Sequence, residues 1–546
     1  MLNKSTVFLS CFLLFIQSTF AQIEIENKLD LDVKFSESDF ITINTYEGVI
    51  GFRSYVNQSK GPILEVFATN KGLDITKSYQ VPLQTYYSMV GYYLFDLKLY
   101  LIFEKRDLSE TKRYLIEADF QEQRTKQYSI DNLTEMILRN FMVIDRKVVL
   151  QGELDQSPVL QLFDLENGEI TTLPGIFFYK AKVLQLHHDK NIDYFNVLIR
   201  KEVINKVYES SLISFDTNGN LIREITLNNP NEKKMEYIES ILFSSDNLDE
   251  SLIGTYGQKK KSAYYGYYQN TIEDFGNQNI QFFNLYKFPK FYNYLPERKA
   301  KRLTKRLERK KENIKSPKLK PLIAVRKIVE HEDYQLVYSE TFTSRDVLYY
   351  PRRGRYADYS ALRMGSITPS LVAFNPIPRG LTRGDSYRLH AGSETFTNNF
   401  IENFRYVSGH LFLKDKEDNI IWDDAVSLKP SGSHFPIKIG EVNIMNENEL
   451  HHIYNVENNL FIHFFNPING TKEKYEVLVT GLNNNEELVG IKRNSSKIVH
   501  WYEDYYLFSS TQRIRYTDDD GNRSLKDIFS LYKVKIHRDQ FNQIER

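Results

Sequence analysis

Short runs of Val, Ile, Leu, Tyr and Phe recur along almost the whole chain, Asp/Asn/Gly turns separate them, and groups of four such runs repeat about every 40–50 residues. These three observations predict an all-β fold: a single β-propeller of about eight four-stranded blades, with one inserted basic α-helix and one long inserted loop. At 546 residues the chain far exceeds one ordinary domain, as a large repeat fold requires. Hydrophobic residues at 41% and charged residues at 26% argue against global disorder and against a multi-span membrane protein.

The units read alike. Residues 141–175 give FMVID, VVLQGEL and PVLQLFDL, then the turn Glu166-Asn167-Gly168 and EITTLPG. Residues 183–227 give VLQLHHD, YFNVLIR and SSLISFD, then Thr217-Asn218-Gly219-Asn220 and LIREITL. The second half of a unit recurs at 406–428, and 453–491 give IYNVE, NLFIHFF, YEVLVTG and ELVGIK. Eight units start near 40, 86, 139, 180, 235, 323, 451 and 497. The first is weak, so seven and nine blades stay open. The last lacks an outer strand, which KLDLDVKF at 28–35 can supply, joining the two chain ends. One blade cannot bury both its faces, so stacking on neighbours is what stabilises each. The 37 Tyr and 36 Phe, set against 2 Trp, suit pleated half-buried surfaces, and most are expected to pack between blades.

Residues 1–21 combine Lys4, an apolar run from Val7 to Ile16 and the small-residue site Ser18-Thr19-Phe20-Ala21. That is the pattern of a cleaved export signal, with the propeller over 22–546, and the run is well short of the ~20 residues needed to span a bilayer. The expected compartment is periplasmic or secreted, with no transmembrane segment after cleavage. Cys11 is the only cysteine and leaves with the signal, so disulfides, thiol nucleophiles and cysteine metal sites are excluded. Sequons at Asn57, Asn132, Asn469, Asn494 and Asn522 are read as unused, because the composition fits a bacterial export route.

Two insertions interrupt the repeat. In 287–322, Pro296 suits a helix first turn, and Ala300, Leu303, Leu307 and Ile314 form one apolar stripe amid Lys and Arg. Residues 287–326 hold 15 Lys and Arg against 3 Asp and Glu, a net of +12, so the remainder, 56 against 68, is −12. Lys301, Arg302, Lys305, Arg306 and Arg309 are the candidate anion or partner contacts, unless carboxylates of the body already neutralise them. The second insertion, 344–404, is far longer than an ordinary loop and is rich in Arg and Tyr. Its candidate ligand-binding residues are Tyr349, Tyr350, Arg352, Arg353, Arg355, Tyr356, Arg379 and Arg383, because guanidinium forks and phenol rings suit carboxylate, sulfate, phosphate or sugar. Strand parity puts the start of a first strand and the turn after a second strand at the same edge of a blade. Both insertions therefore attach to one face.

Reaction motifs are absent from the sequence. His187-His188 and His451-His452 are adjacent on strands and point to opposite faces. His390, His410, His434 and His463 lack zinc spacing, and Asp518-Asp519-Asp520-Gly521-Asn522 reads as a hairpin turn in place of a calcium loop. No nucleophile elbow or phosphate loop is present. No metal and no cofactor is expected.

The signal ending in FAQ, the cysteine-free body and turns such as SFDTNGNLIRE resemble exported bacterial β-propeller proteins of the Bacteroidota type. NYLPERKAKRLTKRLERKK, IVEHEDYQLVYSETF and NIIWDDAVSL look like one group among them, whose diffuse motifs carry no catalytic residue to transfer. The resemblance implies the fold and the compartment. The expected function is that of a non-enzymatic envelope propeller whose decorated face binds a protein or an anionic polymer, an acidic glycan or a lipid phosphate. Nucleic acid is disfavoured by the export signal. The rival is a glycan-active hydrolase or lyase with carboxylates converging at the propeller centre.

Overall fold

A computed structural model of the chain describes residues 23–536, apart from 345–403 and the short stretches 107–110, 131–132, 189–192, 204–207, 229–235, 245–249, 259–262, 274–275, 313–321, 430–431, 434–437, 447–448, 483–484, 494 and 518–520. The fold is a β-propeller of eight blades, each built on four antiparallel strands. Their first strands are Ile41–Asn44, Ser88–Phe95, Ile137–Ile144, Lys182–His188, Glu236–Ser244, Leu322–Glu330, Glu441–Asn446 and Lys497–Tyr502. Two compact units divide the chain: Met1–Tyr55 with Leu64–Gln80 and Ile439–Arg546, and Val56–Ile63 with Val81–Lys438.

In the larger unit, blades 2 to 6 follow one another along the chain. Central strands are apolar on both faces because both faces are covered, as in Ser157–Asp164, where only the last residue is not fully buried. Outer strands alternate, as in Leu221–Thr226. One core cluster joins Tyr100, Phe141, Leu150, Phe163, Phe195 and Phe215 across blades 2 to 4, and another joins Leu198, Leu212, Tyr256 and Tyr268 across blades 4 and 5. The aromatic richness thus goes largely into packing. The buried phenol of Tyr268 also keeps a polar partner, donating to Ser240 Oγ at 2.7 Å.

In the smaller unit, the outer strand of blade 8 comes from the other end of the chain: Glu24–Asp32 pairs antiparallel with Arg523–Lys535, Glu24 opposite Lys535. The N-terminal strand is therefore as expected, but begins four residues before the predicted segment. Around it, Glu26 accepts from Tyr505 Oη at 2.7 Å and pairs with Lys533 at 2.8 Å, and Ser530 Oγ donates to Asp30 at 2.6 Å.

Blade 7 corrects the sequence reading. Its first strand is Glu441–Asn446, which the pattern missed, and Thr471–Leu478 is its last. The segment Glu486–Ile491, read as its fourth strand, instead pairs with Tyr505–Thr517 of blade 8. That strand is 13 residues long and outruns its first-strand partner, leaving an edge that Glu486–Ile491 covers.

Two local devices recur. The turn between third and fourth strands is closed by a carboxylate: Asp216 accepts from the backbone of Asn218 and Asn220 and from Asn220 Nδ2, all at 2.8 Å. Asp415 does the same with Glu417 and Asn419 at 2.8–3.0 Å, and the Asn419 side chain holds its carboxyl below the usual range. The first strands of blades 2 to 8 each carry a bulge, where one extra residue interrupts the pairing. In blade 3 the extra residue is Arg139, which donates to Glu153 at 2.8 Å; in blade 6 it is Arg326, which donates to Glu340 at 3.0 Å.

Candidate functional site: the edge that carries the insertions

In blade 6, Leu322 at the start of the first strand lies opposite Phe342, and Ser344 at the end of the second lies opposite Phe404. The connector before the blade and the insertion within it therefore attach to the same edge, as strand parity requires. Tyr349, Tyr350, Arg352, Arg353, Arg355, Tyr356, Arg379 and Arg383 all fall in 345–403, outside the described residues.

The connector can be followed to Glu312. A 3-10 turn, Leu285–Lys287, leads into Phe288 and Phe291, both 1% exposed. Phe288 packs edge-on against Tyr267 of blade 5 and His410 of blade 6, at 5.3 and 5.2 Å between ring centres. Asp423 Oδ2 accepts from the backbone of Lys290 at 3.0 Å, and Asp424 Oδ1 from Asn293 Nδ2 at 2.9 Å. Beneath this anchor runs a dry chain of polar groups: Ser339 Oγ and His410 Nδ1 both meet Tyr267 Oη, at 2.6 and 3.0 Å, while His410 Nε2 faces Asp423 Oδ2 at 3.5 Å. All four side chains are buried, so these groups satisfy one another and hold the base of the connector. The sequence flagged His410 only as a non-ligand. Its structural partners lie on three strands of two blades, and no local spacing signals them.

Helix α1, Glu297–Glu312, follows, with Pro296 just before it and accepting from Lys299 and Ala300. Ala300 and Leu307 are buried and Leu303 half-buried, which is the predicted seam; Ile314 lies outside the described residues. Lys301 pairs with Glu297 of the same helix at 2.5 Å, a fully exposed contact that pulls the Glu297 carboxyl down. Arg302, Lys305 and Arg306 are exposed, and among the described residues none of the three has a carboxylate partner. With Leu303 and Arg309 they line an open groove of about 650 Å³. Spacings of three and four residues set them along one side of the helix.

The same edge is also distinctive between blades 3 and 4. The connector at 173–181 is pinned by buried Leu173 and Ile176 and by Lys180 N donating to Gln156 O at 2.9 Å. Between these pins Phe177, Phe178 and Tyr179 are 62%, 37% and 62% exposed. Lys180 Nζ stands 4.9 Å from the Tyr179 ring centre, and Lys201 Nζ 5.0 Å from that of Phe178. The available signal was the run Ile176-Phe177-Phe178-Tyr179 directly after Gly175, apolar residues where a turn should be polar.

In blade 7 of the smaller unit, His452 and His463 face each other across two strands, Nδ1 to Nδ1 3.4 Å. Burial pushes His452 down to about 3 and His463 well below its ordinary value. Among the described residues no group of three or more His, Cys, Asp and Glu side chains is arranged to hold a metal ion, and no helix is long and apolar enough to cross a membrane.

No protein-family model and no curated protein matches this sequence. Among solved structures it is similar to the polysaccharide lyase Uly1, at 8% identity over 94% of this chain and 100% of that one, with a TM-score of 0.39. It is similar also to the β-propeller domain of the trilobed protease from Pyrococcus furiosus, at 7% identity over 81% and 96%, TM-score 0.32. The acylaminoacyl peptidase of Pyrococcus horikoshii matches at 7% over 80% and 52%, TM-score 0.31, so the chain spans about half the length of that peptidase. Likeness at this level carries no inference about activity.

Proposed function

We propose that this protein is a non-enzymatic binding propeller, exported to the cell envelope, which engages an anionic polymer through the basic side of α1 and the edge to which both insertions attach. The observation that carries the reading is the uncompensated stripe of Arg302, Lys305 and Arg306. Charges that only balanced the acidic body would be paired with its carboxylates. Exposed, unpaired cations in a row instead present a field to which polyanions are drawn and which salt screens. The export pattern of residues 1–21 supports the compartment.

Arg302→Glu/Lys305→Glu/Arg306→Glu in the mature protein should bind immobilised polyanion at least tenfold more weakly than the parent, with parent affinity falling steeply as salt rises. Equal binding by the two proteins counts against the reading. Incubation with acidic polysaccharides should release no shorter chains; new reducing or unsaturated ends would favour the enzyme.

A further inference from the structure

We infer that the anionic polymer is an acidic polysaccharide, and that Phe177, Phe178 and Tyr179 form a stacking platform for its sugar rings. The inference rests on the proposed function above and names the class of ligand. Cations alone do not choose among polyphosphate, anionic lipid and acidic glycan, since all three present regularly spaced negative charge. A sugar ring differs from the others in having an apolar C–H face beside its polar rim. An exposed aromatic ring is apolar in body and electron-rich on its face, and so complements the C–H face of a sugar. A phosphate chain offers nothing to stack on such a ring.

Three features of the connector fit that use. Its aromatic side chains are held out by fixed points on either side, Ile176 at 1% exposure and the Lys180 N to Gln156 O bond, so rings are presented without a folding cost at binding. Lys180 is exposed beside Tyr179 and, among the described residues, has no carboxylate partner, so a uronate or sulfate can reach it from a sugar stacked on that ring. The connector also lies at the right edge. Thr172 at the end of blade 3 is opposite Gln161, and Lys182 at the start of blade 4 is opposite Arg200, which places 173–181 at the ends where first strands begin. Blade 6 receives both insertions at that same end of its sheet. Within this unit the ring platform and the attachment points of the basic elements thus share one face, and a polymer can meet both where a small anion meets only one.

The test uses the intact mature protein and titrations with polygalacturonate, chondroitin sulfate, linear polyphosphate and phosphatidylglycerol vesicles at matched charge. The parent should bind the two polysaccharides more tightly than polyphosphate or vesicles. Phe177→Ala/Tyr179→Ala should lose at least tenfold for the polysaccharides and stay within twofold for polyphosphate, with an unchanged melting temperature; Lys180→Gln should lose about threefold. Parent-like polysaccharide binding by the double variant overturns the platform while leaving the anion-binding reading intact. Binding of polyphosphate or vesicles without polysaccharide overturns the ligand class. If no anionic probe binds the parent, the inference falls together with the reading it rests on.

Discussion

Blades 3 and 6 contain the same charged device in different surroundings. In each, the bulge of the first strand is filled by an arginine that reaches the glutamate fourteen positions later, Arg139 to Glu153 and Arg326 to Glu340. In blade 3 the two side chains are 22% and 21% exposed; in blade 6 both are fully buried, with Tyr338 Oη donating to Glu340 at 3.0 Å and the Phe342 ring 5.5 Å from the guanidinium. The difference teaches what burial does to one interaction. A water-touched pair gives up little solvation and gains little. In the dry pair a large desolvation cost is offset by strong attraction, so each partner depends on the other being present. Blade 6 is where the chain detours through α1 before the first strand and through 345–403 before the third. A pair that tolerates only one register suits a sheet whose strands must find each other across such detours.

The largest expected effect breaks the comparison on the dry side. Glu340→Ala should cost about 3–5 kcal/mol of unfolding free energy by leaving Arg326 buried and unpaired. Glu153→Ala should cost about 1 kcal/mol or less, since Arg139 can turn to water. Urea titration of both variants measures the contrast; equal losses would remove burial as its cause. Arg326→Met/Glu340→Leu should recover most of the loss, because the penalty belongs to the unpaired charge and not to the missing pair.

His452 and His463 sharpen the point with a buried pair that is neutral. Their folded values lie below the ordinary histidine value near 6.5, so the unfolded chain takes up protons more readily than the folded one. The stability they contribute is complete above pH 6.5 and is lost as pH falls toward about 3, by a few kcal/mol at most. The urea midpoint of the parent should drop between pH 7 and 5, and His452→Phe/His463→Leu should flatten that slope. An unchanged slope would assign the acid sensitivity to carboxylates.

Smaller effects are expected at the solvated devices. Asp216→Ala should cost about 1 kcal/mol through three lost turn hydrogen bonds. Replacing Arg302, Lys305 and Arg306 with Ala should change unfolding free energy by less than about 0.5 kcal/mol, because exposed side chains without a carboxylate partner among the described residues add little to stability. A larger loss would mean that these cations are structural, which would weaken their assignment to binding.

Much of the architecture was legible in the residues. Apolar central strands, alternating outer strands and Asp-to-Asn turns repeat often enough to count eight blades, and Pro296 with the Ala300–Leu303–Leu307 stripe marked α1 and its seam. Blade 7 was misread where the signal was weakest. EVNIMN hides a first strand among Glu and Asn, while ELVGIK looks like an outer strand but covers the overhang of a neighbour. Half of the candidate site was visible as charge and half was not. Lysines and arginines announce themselves by composition. The footing of the connector depends on its own Phe288 and Lys290 meeting His410 and Asp423 from two strands of blade 6, which only the fold determines.

The sheet that pairs Glu24 with Lys535 has a consequence for the order of assembly. Glu24–Asp32 is synthesised long before its neighbour Arg523–Lys535, so the sheet cannot be finished until the 490 residues between the two strands have been made. Closing so long a chain segment is slow relative to local pairing, and the other seven blades need no such contact. Glu24–Asp32 must therefore wait without its sheet partner until Arg523–Lys535 has been made, and deletion of either strand should disable the same blade.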